Sequence, residues 1–283
     1  MSEGHAATAF VPGHVTGFFS IHRTDDPATT GSRGGGLALA DGVTVTVEPA
    51  SDTTVTVEGE TMAIDAVDGV LSTLGETADV TVETDLPLGA GFGVSGAMAL
   101  GTALAGNQVF DVGRSENALV RLAHVAEVEA GTGLGDVVAQ ARGGVPLRLE
   151  PGAPPEGVLD GIPAVADVEY LTLGELSTPD VLADRPERIT RAGTAALETV
   201  RERPTLDRFM TAAVTFSEDV GLLTGEVREV VEAVEAAGGT AAMAMLGETV
   251  YALGDALSAA GFEARRTHIH RGGATLLVDG PSA

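Results

Sequence analysis

Residues 6–10 form an apolar run of strand length that passes into Pro12-Gly13-His14-Val15-Thr16-Gly17-Phe18-Phe19. A turn-rich loop at 23–30 leads to a glycine cluster, Gly31-Ser32-Arg33-Gly34-Gly35-Gly36. Apolar residues 37–39 and 43–47 flank Asp41-Gly42, a pair that predicts a hairpin turn. Val45, Val47, Val55 and Val57 alternate with Thr and Glu, and this period of two predicts antiparallel β-structure up to Glu58. Residues 64–74 predict a weakly amphipathic helix, and the alternation at 80–83 predicts a strand. That strand runs into Pro87-Leu88-Gly89-Ala90-Gly91-Phe92-Gly93-Val94-Ser95-Gly96-Ala97 and then an Ala/Leu-rich helical run at 98–105.

Ser115 begins a further helix whose apolar face is Leu119, Leu122, Ala123, Val125 and Ala126, ending near Gly131. Thr132-Gly133-Leu134-Gly135-Asp136 opens a short helical segment closed by Gly143-Gly144. A strand is predicted at 145–149, and the Pro/Gly-rich stretch 151–163 reads as a domain boundary. Beyond it the pattern predicts a strand at 168–173 and helices at 186–203, 206–216 and 226–237, the last capped by Gly238-Gly239. Residues 241–246 then lead into a predicted helix at 248–260, with strands at 264–268 and 274–278. A β-rich opening, a glycine loop with helices and a mixed second half predict an α+β fold.

Composition narrows the partners. The chain has 41 acidic residues against 16 basic ones, all Arg, for a formal net charge of −25. With so little to neutralise phosphates, no nucleic-acid partner is expected. The acidity is scattered, as in proteins kept soluble at molar salt, where the screening length falls to roughly 3 Å. That pattern resembles proteins of salt-loving archaea. Absence of Cys excludes disulfides and thiolate chemistry. No apolar run reaches membrane-spanning length and no signal-type N-terminus is visible, so a cytoplasmic protein without a membrane partner is expected.

Glycines as dense as those of 89–96 let backbone N–H groups approach a ligand, and a helix N-terminus adds a favourable dipole for phosphate. A Walker A loop requires Lys and is excluded. Gly91-x-Gly93-x-x-Gly96 nominally fits a dinucleotide fingerprint, with Asp111 or Glu116 about 20 residues on, but the opening does not read as a first βαβ unit. A nicotinamide-dependent oxidoreductase is the rival chemistry, and a non-catalytic nucleotide sensor a third reading.

Pro-x-x-x-Gly-Phe-Gly-x-Ser-Gly-Ala at 87–97 resembles the central motif of the GHMP kinases. Pro12-Gly13-His14 stands where that family has its first motif, and residues 239–247 where it has its third. Residues 9–19, Gly31-Ser32-Arg33-Gly34, the segment 131–137 and Met243-x-Met245-Leu246-Gly247 are similar, more narrowly, to the archaeal pantoate kinase family. The resemblance implies a GHMP kinase fold with an N-terminal half like ribosomal protein S5 domain 2 and a ferredoxin-like C-terminal half. These halves would be a nucleotide-binding domain at 1–155 and an α+β domain at 156–283. It implies ATP and Mg²⁺ as cofactors and pantoate as the small-molecule substrate, phosphorylated in coenzyme A synthesis. A GHMP kinase of mevalonate, homoserine or shikimate type remains the alternative.

Carried over residue by residue, the resemblance places ATP on Pro87, Gly89, Ala90, Gly91, Phe92, Gly93, Val94, Ser95, Gly96 and Ala97. It makes Ser95 and Glu127 the metal residues, Glu127 matching better than Glu129, and Asp136 the group that meets the acceptor hydroxyl. His14 and Arg33 are expected at the substrate carboxylate, with Arg142 a weaker candidate. Met243, Met245 and Leu246 read as core. A homodimer is compatible with this reading.

Overall fold

The computed structural model describes residues 6–175, 185–245 and 247–278. Two long strands, β1 (Ala7–His22) and β2 (Gly31–Pro49), pair antiparallel along nearly their whole length. The short strand expected at 6–10 is thus the start of a 16-residue strand. Its register slips between Pro12 and Gly13, and the slip accommodates Ala40 and Asp41, so Asp41-Gly42 lies at a bulge inside β2 and not a hairpin. The physical reason is contact at a distance: a side chain at 42 would strike the Val11 carbonyl and the Phe10 ring, so glycine serves strand packing there.

Strand β3 (Thr54–Val57) pairs with the short β4 (Glu60–Thr61) and with β5 (Ala78–Thr84). The β3–β5 pairing is parallel, because helix α1 (Asp65–Leu74) forms a crossover between them. The antiparallel expectation for this stretch therefore holds for β1–β2, β2–β5 and β3–β4 but not for β3–β5. Strand β6 (Val145–Glu150) pairs with β2, and β7 (Val158–Ile162), within the Pro/Gly-rich stretch, pairs with β6. Together with β12 (Thr275–Leu277) against β1, these make an eight-stranded sheet.

Helix α2 (Val94–Val109) is buried along 94–106 with the exceptions of half-buried Ser95, as expected of a helix apolar nearly all round. It lies so close on β2 that a side chain at Gly101 would meet Val45. Helix α3 (Glu116–Ala130) follows, capped by Gly131 in the left-handed region, and then the short α4 (Asp136–Arg142).

A second sheet, in the order β11-β8-β10-β9, is built from β8 (Asp167–Glu175), β9 (Ala241–Ala244), β10 (Gly247–Leu253) and β11 (Arg265–His268). Helices α5 (Pro186–Glu202), α6 (Leu206–Val220) and α7 (Gly225–Ala236) match the helical pattern of this half. Phe209 and Phe216 of α6 meet Phe18 and Phe19 of β1 at ring separations of 5.5 and 5.7 Å. The helix expected at 248–260 is mostly strand β10, and only α8 (Ala256–Ala259) is helical. Thr249, Val250 and Tyr251 favour extended backbone, and with Ala252 they are fully buried between two neighbouring strands.

The two sheets are joined at Asp41, whose carboxylate accepts hydrogen bonds from Tyr170 and Thr267, each 2.8 Å long. The α+β expectation holds for the fold.

Candidate active site

A cavity of about 350 Å³ opens where the glycine loop meets β1, β2, β6 and the start of α4. Gly89, Gly91, Phe92, Gly93, Val94, Ser95 and Gly96 line it. Of the loop residues expected at ATP, Pro87, Ala90 and Ala97 do not line it, and Ala90 and Ala97 point into the core. The loop turns on Gly89, Gly91 and Gly93, whose φ values of 74°, 89° and 65° suit glycine and few other residues. Its last turn starts α2, so the free N–H groups of that helix face the cavity end of the loop.

Glu127 reaches the same cavity from α3 and is 3% exposed. Its Oε1 accepts from the Ser95 hydroxyl at 2.5 Å and from the Thr132 hydroxyl at 2.8 Å. Burial raises its pKa to about 7, against the pull of those two hydrogen bonds, with Asp136 adding to the rise. Glu129, two residues on and about 200° around the helix, is exposed. A carboxylate that gives up its proton reluctantly gains when a cation takes the proton's place, and the donor set of carboxylate and hydroxyl oxygens suits Mg²⁺. Among the described residues no three His, Cys, Asp or Glu side chains gather into a metal site. Phosphate oxygens and water would therefore complete the shell, as Mg²⁺ prefers.

Asp136, the first residue of α4, lies on the cavity wall with about a quarter of its side chain exposed. The His14 ring donates from Nδ1 to Asp136 Oδ1 at 2.7 Å. Burial alone would push the Asp136 carboxyl up, but the His14 hydrogen bond and the Arg148 guanidinium leave it lowered. His14 itself is completely buried, and this desolvation lowers its pKa despite the carboxylate beside it. Its Nε2 has no partner and faces Gly36, where any side chain would strike the imidazole. A neutral ring with its proton on Nδ1 fits those contacts, since a protonated ring would bury a second, unanswered N–H. His14 does not line the cavity; it touches Asp136 from behind.

Arg33 also stays away from the cavity. Ser32 lines it, and strand alternation sends the neighbouring Arg33 to the opposite face of the sheet, across from Ser20. Arg142 lies over Gly161 of β7 and bonds to the Gly143 carbonyl at 3.2 Å. The cation that does line the cavity is Arg148 of β6, which residue-by-residue reading passed over. It is 2% exposed, its Nε and Nη1 have no hydrogen-bond partner, and burial lowers its pKa while Asp136 opposes that. A usable signal was present: an Arg inside the apolar strand Val145-Pro-Leu-Arg-Leu149 needs an anion from somewhere. Met245 also lines the cavity, whereas Met243 is core as expected, and Leu246 lies outside the described residues.

Residues 61–144 match the family model of the GHMP kinases N terminal domain. Over 262 residues the chain is 32% identical to pantoate kinase of Methanospirillum hungatei, covering 87% of each protein. The chain belongs to the pantoate kinase family of GHMP kinases. Pantoate kinase of Thermococcus kodakarensis is 35% identical over 263 residues, which are 87% of this chain and 86% of that protein. Among solved structures, a phosphotransferase related to the coenzyme A biosynthesis pathway superposes with a TM-score of 0.86 at 31% identity, covering 96% of this chain and 98% of that one. A homoserine kinase from Cytophaga hutchinsonii, 17% identical, shares the fold with a TM-score of 0.67 over 98% of this chain and 99% of that one. The enzyme is thus a small-molecule kinase with the GHMP kinase fold.

Proposed function

We propose that this enzyme transfers the γ-phosphoryl group of ATP to the terminal hydroxyl of (R)-pantoate, giving (R)-4-phosphopantoate for coenzyme A synthesis. Similarity to pantoate kinases over 87% of the chain supports the reaction. The observation that carries the acceptor is Arg148, a buried guanidinium with two unanswered nitrogens, placed in the cavity beside Asp136. A buried guanidinium with unanswered N–H groups favours an anion, and pantoate is a carboxylate with a hydroxyl at its far end.

In this reading the loop amides of 89–96 cradle the phosphates, and Ser95 with Glu127 holds Mg²⁺. When bound, the ion supplies charge neutralisation on the phosphate oxygens. The chain has no Lys, so Arg148 and backbone N–H groups are its own positive contribution. Asp136 accepts the hydrogen of the acceptor hydroxyl and orients its oxygen in line with the phosphoryl group. A carboxyl held below its usual range is a weak base, so it takes the proton only as the new P–O bond forms, which a loose transition state allows. His14 acts behind Asp136, fixing which carboxylate oxygen faces the acceptor. Phe19, Leu134 and Met245 offer an apolar wall to the two methyl groups of pantoate. Arg33 has no contact role in this mechanism. The acidity of the chain supports a cytoplasm of high salt as its setting, and a homodimer is compatible with it.

An ATP-coupled assay at molar salt against pantoate, mevalonate, homoserine and shikimate tests the reading. Turnover is expected with pantoate, and Arg148→Gln should raise KM for pantoate about a hundredfold while KM for ATP changes little. Turnover with another acceptor and none with pantoate would refute the assignment.

A further inference from the structure

Three carbonyls of the glycine loop, those of Ala90, Phe92 and Gly93, are taken by donors from three other parts of the chain. The Ala90 carbonyl accepts from the Thr249 hydroxyl of β10 at 2.8 Å. The Phe92 carbonyl accepts from the His14 backbone N–H of β1 at 2.9 Å. The Gly93 carbonyl accepts from Gln140 Nε2 of α4 at 2.9 Å, in addition to the first helical bond from Ala97 N. Thr249 and Gln140 are both completely buried. Neither lines the cavity, so neither can touch substrate from where it stands.

The loop peptides are trans, and in a trans peptide the N–H points opposite to the carbonyl. A donor that holds the Ala90 carbonyl therefore also fixes the direction of Gly91 N–H, and one that holds the Gly93 carbonyl fixes Val94 N–H. Glycine-rich backbone has little conformational preference of its own, so such a loop needs external restraint to present a fixed set of amides. We infer that Gln140 and Thr249 are positioning residues that turn the loop carbonyls away from the cavity and so aim its amides at the phosphates of the nucleotide. Gln140 stands one turn after Asp136 on the same face of α4, within reach of both Gly93 and Gly96. The helix that orients the acceptor thus also tethers the loop that holds the donor. Its other side-chain atom, Oε1, has no partner, so the donated bond to Gly93 is what the amide group contributes.

This inference rests on the kinase reading for its ligand, and the experiment separates the two. Thr249→Val and Gln140→Met keep shape and apolar contact while removing the donor, and Thr249→Ser keeps the hydroxyl. Affinity for ADP measured by calorimetry should fall about tenfold in Thr249→Val and in Gln140→Met, with KM for ATP rising in parallel. KM for pantoate should stay within about twofold, and Thr249→Ser should bind ADP as the parent does. Unchanged ADP affinity in both donor-deleted variants overturns the inference. So does a parallel loss of ADP affinity, pantoate affinity and thermal stability, which a merely structural role would give. If either variant fails to fold, the other decides. Should the parent bind ADP yet leave pantoate unphosphorylated, the acceptor assignment falls, while the ADP measurements still decide the clamp.

Discussion

Glu127 combines three properties that are separately ordinary: burial, two hydroxyl donors on one oxygen, and a pKa raised to about 7 by desolvation. The folded chain therefore binds this proton more tightly than the unfolded one, whose carboxyl titrates near 4.5. The stability that Glu127 contributes is complete below pH 4.5 and is lost as pH rises through 7. Glu127→Gln should accordingly be more stable than the parent in metal-free buffer at pH 8, by on the order of 2–3 kcal/mol in urea denaturation. Its turnover should fall about a hundredfold or more. Mg²⁺ should bind more weakly at pH 6 than at pH 8, because the proton competes for the same oxygens. Glu127 and Asp136 could be nominated from the sequence because the resemblance to the GHMP kinases carries over onto their positions. Arg148 could not be nominated with the same ease, because its significance lies in having no partner, and partners are a property of the folded chain.

At the scale of elements, the site depends on how closely β1 and β2 approach. Gly36 of β2 lies against the His14 imidazole, and a methyl group there would run into the ring and into the Val15 carbonyl. Gly36→Ala should destabilise the fold by about 1–3 kcal/mol and cut turnover by displacing His14 from Asp136, with denaturation midpoint and kcat as the two readouts. The glycine cluster at 31–36 was visible as a cluster, yet its use was not. It is the start of strand β2, where the missing side chains make room for groups from distant segments. Close approach of β1 likewise moved Asp41-Gly42 from a turn to a bulge, and pairing with β8 and β9 made residues 248–253 a buried strand where local spacing suggested helix. Helices with an amphipathic face and clear caps, such as Glu116–Ala130 between Ser115 and Gly131, were readable almost to the residue.

For the whole molecule the dominant quantity is charge. With 41 acidic residues against 16 Arg, repulsion opposes the compact state at low ionic strength. Ion pairs such as Arg121–Glu156 and Arg265–Asp85 involve exposed groups and offset little of it. The unfolding midpoint should rise by about 10 °C between 0.1 M and 2 M KCl, measured by circular dichroism, and an equal osmolality of sucrose should not reproduce the rise. Sequence alone determined what depends on residue type and short spacing. It excluded lysine-based and thiol chemistry, and it supplied the glycine loop before a helix, the charge, the capped helices and the kinase motifs, since these are written in neighbouring positions. Tertiary structure alone decided which polar groups meet. It set His14 behind Asp136, sent Arg33 to the far face of the sheet, brought Arg148 to the cavity and aimed Thr249 and Gln140 at the loop. Those pairings join residues up to 159 positions apart, and their existence depends on strand register and helix rotation, which no local pattern encodes.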